Sequence, residues 1–316
     1  MTLTAFVFPG QGSQRSGMDL ELLARRPDLT ATYYRTADDL LGIPLSRLCA
    51  HGTPRDFEDP AVHQPAVFLN SLVILDALRA EGLRPDAVAG HSLGEYAALV
   101  ASGVLEWTEA LWLVRLRGEL VATVGDRVRN DTVAVIGLPR TDISALVAAA
   151  VTATGALAEI TGDNEPRQTV VSGERAAVAH TARAARAAGA RTVRLHTGGP
   201  FHSSLLREVE AEFTEALIAT EFRNPGIPLV SSVTGGRVTT AAEAVVALRS
   251  QLTSPVRWTE TVETLAAAGT ERYVEVGPGR VLGTLIRAIL PGARVHATHT
   301  ARRRALAVNA LAGASL

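Results

Sequence analysis

Ser92 is the residue of this sequence best placed to act as a nucleophile. It stands in G-H-S-L-G at residues 90–94, between an apolar run at 86–89 and an alanine-rich helical stretch. Flanking glycines leave room for a sharp strand-to-helix turn, and a hydroxyl at its apex faces a helix N-terminus, where developing negative charge is favoured. A chance match in a glycine-rich chain, or a serine that only caps a helix, gives the same spacing. The strand-turn-helix context favours the nucleophile.

Two histidines are candidates for the base that a serine nucleophile needs within hydrogen-bond reach. His91 adjoins Ser92, but successive residues on such a turn point in different directions, so packing within the turn explains it better. His202, in "GGPFHSS", follows a glycine-proline loop at the end of a predicted strand, where loops carry function on a rigid scaffold. From the residues alone, an exposed helix-capping histidine is an equally good interpretation of His202.

Length and composition exclude several classes of function. The 316 residues are 47% hydrophobic and carry a net charge of −1, so no basic excess indicates nucleic acid and no apolar run reaches the length of a membrane span. The one cysteine, Cys49, excludes an internal disulfide and a cysteine-based metal cluster. The sequence starts on a strand-like "TAFVF" rather than a charged leader, so we expect a cytoplasmic protein.

The predicted elements alternate between strands and helices, which indicates an α/β fold. Between residues 127 and 196 the rhythm changes to the order β-α-β-β-α-β, with strands predicted at "DTVAVIGL", "LAEIT", "RQTVVSG" and "RTVRLH". That order is typical of a split βαβ, ferredoxin-like unit of about seventy residues. We therefore expect a small domain inserted into a larger α/β domain.

Six sequence blocks, in order along nearly the whole chain, resemble the malonyl-CoA:acyl-carrier-protein transacylases and the acyltransferases of polyketide synthases. They are "FVFPGQGSQ" at 6–14, "GHSLGEY" at 90–96, "RG" at 117–118, "FHS" at 201–203, "SPVRWTETV" at 254–262 and "EVGPGRVL" at 275–282. The resemblance implies an α/β-hydrolase-like large domain of residues 1–126 and 197–316, interrupted by a ferredoxin-like small domain of residues 127–196. It also implies an active site in the cleft between the two.

The resemblance assigns roles to matching positions. Ser92 corresponds to the acylated nucleophile and His202 to the general base, held through a main-chain carbonyl at Gln251 or its neighbours. The backbone N–H groups of Gln11 and Leu93 correspond to the oxyanion hole, where preorganised donors stabilise the tetrahedral intermediate. No metal is implied, and the only cofactor-like molecule is the substrate itself, an acyl-CoA or acyl-carrier-protein thioester.

Arg117 bears on the substrate class. Standing alone it is best interpreted as a surface arginine, because a guanidinium among leucines needs an acidic partner or an exit to water. The resemblance implies instead that Arg117 binds the free carboxylate of a malonyl or substituted malonyl group. A bidentate arginine-carboxylate pair supplies geometry as well as charge, so a dicarboxylic thioester is favoured over an acetyl or fatty acyl group.

The sequence departs from the family pattern around the expected substrate pocket. Val121 stands where methionine is common, and the usual Gly-Met-Ala is replaced by Asp131, Thr132, Val133 and Ala134. Asn164 is retained, and Phe201 before the histidine resembles malonyl-type enzymes. We expect Val121, Phe201 and Asn164 to line the pocket, and the departures leave the acyl group open.

The sequence therefore predicts a discrete acyltransferase that takes a malonyl-type group from CoA to the phosphopantetheine thiol of an acyl carrier protein in fatty acid or polyketide biosynthesis. Two alternatives remain: a trans-acting polyketide acyltransferase moving an unusual acyl group between carrier proteins, and an editing thioesterase of the same fold. An acidic carrier protein would need an arginine patch, and a solvated helix face explains the candidates at least as well. Those candidates are Arg183, Arg186, Arg191 and residues 302–304.

Overall fold

The computed structural model describes residues 2–14, 16–18 and 20–312. Of the predicted large domain, Met1, Arg15, Asp19 and residues 313–316 lie outside the described residues.

Within the described residues, eleven strands form two sheets. They are β1 (Leu3–Phe8), β2 (Ala87–Gly90), β3 (Asn130–Ile136), β4 (Ala158–Glu165), β5 (Gln168–Glu174), β6 (Arg191–Leu195), β7 (Leu229–Val230), β8 (Arg237–Val238), β9 (Val256–Arg257), β10 (Thr270–Glu275) and β11 (Arg294–Ala297). The large sheet has the order β11-β10-β1-β2-β7-β8, and the small sheet has the order β6-β3-β5-β4-β9.

Helices cover the large sheet and one face of the small sheet. The α-helices are α1 (Leu20–Arg25), α2 (Pro27–Leu29), α3 (Thr36–Leu41), α4 (Leu45–His51), α5 (Pro60–Ala80), α6 (Gly94–Ala101), α7 (Trp107–Arg127), α8 (Arg140–Thr154), α9 (Arg175–Ala187), α10 (Glu210–Ala219), α11 (Ala241–Gln251), α12 (Trp258–Ala267), α13 (Val281–Ile289) and α14 (Ala301–Ala312). A π-helical turn spans Thr30–Arg35, and 3₁₀ turns span Pro54–Phe57 and Ser204–Val209.

The large sheet brings two predicted site segments to one edge. Strands β1, β2, β7, β10 and β11 are parallel, and β1 and β2 are buried along almost their whole length, as parallel strands covered on both faces must be. Both β1 and β2 end at this edge, so the loop that holds Gln11 and the turn that holds Ser92 lie side by side. Ligands of open α/β sheets bind at this carboxyl edge.

The small sheet has the β-α-β-β-α-β order that the sequence predicts. Strands β6, β3, β5 and β4 are antiparallel neighbours, with α8 and α9 packed against them. The α/β fold with a ferredoxin-like insert is thus confirmed. Strand β9 adds to this sheet in parallel with β4, pairing Val256 with Gly162. The segment after α11 therefore ties the small sheet to the large part of the molecule.

Helix α5 is the main core helix. By length and composition it is apolar enough to cross a membrane, but 83% of its most apolar window is buried inside the protein. Its apolar residues belong to the largest hydrophobic cluster, which also includes side chains of β1, α6 and α7. Burial in the core explains its composition, and its few polar residues therefore need a separate explanation.

Candidate active site

Ser92 occupies a strained turn that only its glycine neighbours permit. It has φ 54°, and it and His202 (φ 61°) are the two non-glycine residues with positive φ among the residues described. A Cβ on Gly90 would lie 2.1 Å from the backbone of Gly94, and one on Gly94 would lie 2.0 Å from the carbonyl oxygen of Phe8. Such backbone strain persists only where the surroundings impose it, and it concentrates at functional sites.

The structure brings Ser92 and His202 together. The Ser92 Oγ lies 2.6 Å from His202 Nε2. On the other side of the ring, Nδ1 lies 2.9 Å from the carbonyl oxygen of Gln251 and 3.1 Å from that of Ser254. Since carbonyls only accept, Nδ1 carries the proton and Nε2 is left to accept the proton of the serine. Main-chain carbonyls therefore orient this histidine in place of a third acidic residue.

His202 is held in its neutral, basic form. Burial lowers its pKa to about 3, and the positive charge of Arg117 acts in the same direction, outweighing the two carbonyl acceptors. A neutral imidazole is the form that can remove the proton of Ser92.

The rate of serine acylation should therefore be insensitive to acid near neutrality. For a histidine with its ordinary pKa of 6.5, kcat/KM for acylation would fall as the pH drops through that value, because the base becomes protonated. With the pKa lowered, we expect kcat/KM to stay flat from pH 8 down to about pH 5. Stopped-flow or quenched-flow measurement of acylation across this range checks the prediction. A falling limb centred near pH 6.5 would contradict it.

Arg117 lies beside Ser92 and not at the surface. Its side chain is fully buried, with Nη1 donating to Gln64 Oε1 at 2.6 Å and Nη2 donating to Ser92 Oγ at 3.1 Å. The guanidinium carbon stands 5.0 Å from the centre of the Phe201 ring. Burial lowers the pKa of Arg117, yet a guanidinium stays charged at neutral pH.

Two donor groups, on Arg117 and Gln64, lack an acceptor among the described residues. Arg117 Nε and Gln64 Nε2 are buried and have no hydrogen-bond partner within the described part of the chain. Buried donors without acceptors are costly and unusual in folded proteins. A carboxylate placed here would supply the missing acceptors and compensate the buried charge.

A buried carboxylate beneath the serine turn was not expected from the sequence. Glu95 is 2% exposed, and its Oε2 accepts from Ser232 Oγ at 2.8 Å and from Gln251 Nε2 at 3.2 Å. Burial raises the pKa of Glu95, and these donors oppose the shift. Gln251 Nε2 also donates to the Ser92 carbonyl at 3.2 Å. Gln251 thus links the serine turn, Glu95 and the carbonyl that orients His202.

The two predicted oxyanion-hole residues lie near Ser92. Leu93 follows the serine directly, at the start of α6, and Gln11 lines the same cavity as Ser92. The side-chain amide of Gln11 lies 3.2 Å from Nε2 of His63, whose Nδ1 is 3.2 Å from the Phe57 carbonyl. Burial lowers the pKa of His63 to about 4, so its imidazole ring is neutral where it holds the loop that contains Gln11.

The active-site cavity has a volume of about 260 Å³ and lies between the two sheets. Ser92, His202, Phe201 and Asn164 line it. Asn164 Oδ1 is 2.9 Å from His91 Nε2, a contact that joins the serine turn to the small sheet.

Val121 lies outside this lining. It is fully buried, and a Cβ on Gly199 would lie 2.4 Å from its Cγ1. Val121 thus packs on the loop that leads to Phe201, and its place in the substrate pocket stays a prediction.

The predicted arginine candidates fall into two groups. Arg183 and Arg186 of α9 line a surface groove with Arg194, and this groove shares Thr132 with the active-site cavity. Arg191, at the start of β6, is exposed. In contrast, Arg304 is 8% exposed and donates to the Thr298 carbonyl at 3.1 Å, so it does not belong to an exposed patch.

Within residues 2–14, 16–18 and 20–312, no three metal-ligating side chains are grouped so that they could hold a metal ion.

Comparison with known protein families gives one match across most of the chain. Residues 5–296 match the family model described as "Acyl transferase domain".

Individual proteins similar to this chain include acyltransferases, in agreement with the family match. The chain is 36% identical over 292 residues to the malonyl CoA-acyl carrier protein transacylase of Bacillus subtilis (strain 168), covering 92% of this chain and 91% of the relative. It is 34% identical to the polyketide biosynthesis protein ThaF of Burkholderia thailandensis, over 100% of this chain but 26% of that longer protein.

A solved structure that contains a malonyl-transacylase is also similar to this chain. It is described as a type II PKS acyl-carrier protein in complex with its malonyl-transacylase, and it matches with a TM-score of 0.92 and 33% identity, covering 98% of this chain and 100% of the matched one.

Proposed function

Because this chain belongs to the acyl transferase domain family, we propose that it moves a malonyl-type acyl group from a CoA thioester to the phosphopantetheine thiol of an acyl carrier protein. We place the reaction in fatty acid or polyketide biosynthesis; one of its relatives is named a polyketide biosynthesis protein. Ser92 is the residue acylated on the way.

One observation carries this proposal: a buried guanidinium and a histidine base meet at the same serine oxygen. Ser92 Oγ lies 2.6 Å from His202 Nε2 and 3.1 Å from Arg117 Nη2. A hydrolase or transferase of neutral acyl groups needs the serine and the base but has no use for a buried charge beside them. A substrate with its own carboxylate uses all three.

In the first half-reaction, Ser92 Oγ attacks the thioester carbonyl while its proton passes to His202 Nε2. The carbonyl oxygen becomes an oxyanion, which we assign to the backbone N–H groups of Gln11 and Leu93, each donor contributing roughly 3 kcal/mol. The carbon–sulfur bond then breaks, and His202 returns the proton to the departing CoA sulfur. The products are free CoA and a serine ester.

In the second half-reaction, the same groups act on the carrier thiol. His202 removes the thiol proton, the thiolate attacks the ester carbonyl, and the carbon–oxygen bond to Ser92 breaks as the proton returns to Oγ. Throughout, Arg117 holds the far carboxylate, which fixes the acyl group in one orientation. These residues account for both half-reactions without a cofactor.

We propose that the cleft lies between a large domain of residues 1–126 and 197–316 and a small domain of residues 127–196. The exposed arginines of the small domain, Arg183, Arg186 and Arg191, would attract the acidic carrier protein by charge. A cytoplasmic location, where CoA thioesters and carrier proteins would meet the enzyme, completes the proposal.

Charge reversal on α9 should slow the transfer step selectively. We expect Arg183→Glu combined with Arg186→Glu to reduce kcat/KM for the carrier protein about tenfold or more at low salt, because steering by surface charge acts mainly on association. The rate of Ser92 acylation by malonyl-CoA serves as the internal reference. Arg25→Glu is the matched control, since Arg25 is an exposed arginine of α1 whose nearby groove shares no lining residue with the active-site cavity. An equal effect of both changes, or no effect of the double change, would place the docking surface elsewhere.

A further inference from the structure

Four hydroxyl groups on the small-sheet side of the active-site cavity form one hydrogen-bonded series, here called the hydroxyl chain. Thr161 Oγ1 donates to Ser172 Oγ at 3.0 Å, and Ser172 Oγ lies 2.9 Å from Thr132 Oγ1. Thr132 Oγ1 lies 3.3 Å from Thr197 Oγ1, which donates to the Gly199 carbonyl at 2.8 Å. All four hydroxyl residues line the cavity that contains Ser92.

Each contact in the hydroxyl chain needs one hydroxyl to donate, and only one assignment of donors satisfies all the contacts. The protons of Thr161 and Thr197 are already committed to Ser172 and to the Gly199 carbonyl. The two remaining contacts must be filled by the protons of Ser172 and Thr132. Since a hydroxyl has one proton to donate, Ser172 must donate to Thr132, and Thr132 must donate to Thr197.

The hydroxyl chain therefore presents acceptors and no donors to a ligand. Each hydroxyl oxygen has two lone pairs, and the series uses at most one of them. Thr132, Thr161 and Ser172 are no more than 3% exposed. Buried acceptors gain from a ligand that brings an O–H or N–H group and gain nothing from a methyl group.

The Thr197 end of the hydroxyl chain lies in the loop that carries the base. Thr197 and Gly199 belong to the loop that carries Phe201 and His202, and Phe201 packs against the Arg117 guanidinium. A malonyl group with one carboxylate on Arg117 and its thioester carbonyl at Ser92 has C2 between those two points. A substituent on C2 points away from both. The hydroxyl chain is a polar part of the cavity wall that such a substituent could meet.

We propose that this site is built for a malonyl-type thioester that carries a hydroxyl group on C2, which donates to the lone pairs of Thr132 and Ser172. The inference rests on the proposed function, because it places the carboxylate on Arg117 and the thioester at Ser92. The hydroxyl group takes no part in bond making or breaking, so the ester formed on Ser92 and the departing thiol are unchanged. Thr132 stands in the segment where the sequence departs from the family's Gly-Met-Ala.

The test compares three thioesters of CoA: malonyl, methylmalonyl and hydroxymalonyl. Methyl and hydroxyl groups are similar in size, so the last two differ mainly in hydrogen bonding. Initial rates of Ser92 acylation are measured by intact-protein mass spectrometry. We expect hydroxymalonyl to react at least about tenfold faster than methylmalonyl, because a site built around a hydroxyl discriminates strongly against the analogue that lacks it.

Variants of Thr132 assign the preference to the hydroxyl chain. Thr132→Val keeps the shape and removes the oxygen, so the ratio of hydroxymalonyl to methylmalonyl rates should fall toward one. Thr132→Ser keeps the oxygen and should keep the ratio. Thr181→Val is the matched control, since Thr181 is a fully buried threonine of α9 that bonds only to its own helix. If Thr132→Val does not fold, Ser172→Ala tests the same lone pairs.

The outcomes separate this inference from the proposed function. Equal rates for hydroxymalonyl and methylmalonyl in the wild-type protein, or an unchanged ratio in Thr132→Val, would overturn the inference. An equal loss with all three thioesters in Thr132→Val would overturn it as well, and would assign the hydroxyl chain to the pantetheine arm or to the fold. Failure of every thioester to acylate Ser92 in the wild-type protein would instead contradict the proposed function.

Discussion

Replacement of Ser92 with alanine should abolish the acyl-enzyme, and replacement of His202 with alanine should slow its formation by roughly four to six orders of magnitude. The two side chains share one short contact of 2.6 Å, and each depends on the other. Without Oγ no ester can form, and without Nε2 the serine proton has no acceptor. Intact-protein mass spectrometry after incubation with malonyl-CoA measures both effects.

Ser102→Ala is the matched control for the serine. Ser102 is also buried, near the end of α6, and its hydroxyl bonds only to the Leu99 carbonyl of the same helix. We expect this variant to be acylated at the wild-type rate. A Ser92→Ala protein that still gains an acyl group from malonyl-CoA would show that another residue is the nucleophile.

Arg117→Ala should lose malonyl transfer and keep or gain transfer of neutral acyl groups. In the wild-type protein a buried guanidinium faces the substrate carboxylate, and removing one partner of such a pair costs about 3–5 kcal/mol, or about two to four orders of magnitude in kcat/KM. An acetyl group gains instead, because it no longer has to lie beside an uncompensated charge. Arg117→Lys should restore little, since a point charge cannot form two parallel hydrogen bonds.

Arg115→Ala is the control for Arg117. Arg115 lies on the same helix, pairs with Glu119 at 2.6 Å and donates to the Ala61 carbonyl, and does not contact Ser92. The ratio of malonyl to acetyl transfer should change only in the Arg117 variants. If malonyl and acetyl transfer fell equally in Arg117→Ala, Arg117 would be structural and the dicarboxylic substrate would have to be abandoned.

The elements of the fold could be predicted because their signals are local. Apolar runs and helical spacing predict β1, β2 and the six elements from β3 to β6, because each pattern shows which face of its own element is buried. The addition of β9 to the small sheet could not be predicted, because the paired residues Val256 and Gly162 are far apart in the sequence. The domain boundaries at 127 and 196 stay a prediction.

The side chains that complete the site could not be assigned from the sequence, because their partners are distant along the chain. Gln64 contacts Arg117, 53 residues away, and Glu95 contacts Gln251, 156 residues away. One signal was present: Gln64 is one of the few polar residues of the mainly apolar α5, and a buried polar group needs a partner. The packing of Val121 against Gly199 is likewise a contact that no sequence pattern shows, and the place of Val121 in the pocket stays a prediction.

The most direct test of the account is to follow the acyl group through one complete cycle. Wild-type protein is incubated with malonyl-CoA, peptide mapping locates the added group, and the phosphopantetheinylated carrier protein is then supplied. We predict one malonyl group as an ester on Ser92, stable in buffer alone and discharged stoichiometrically to the carrier thiol. Absence of the ester, its location on another residue, or its loss to water at the same rate with and without the carrier would contradict the account.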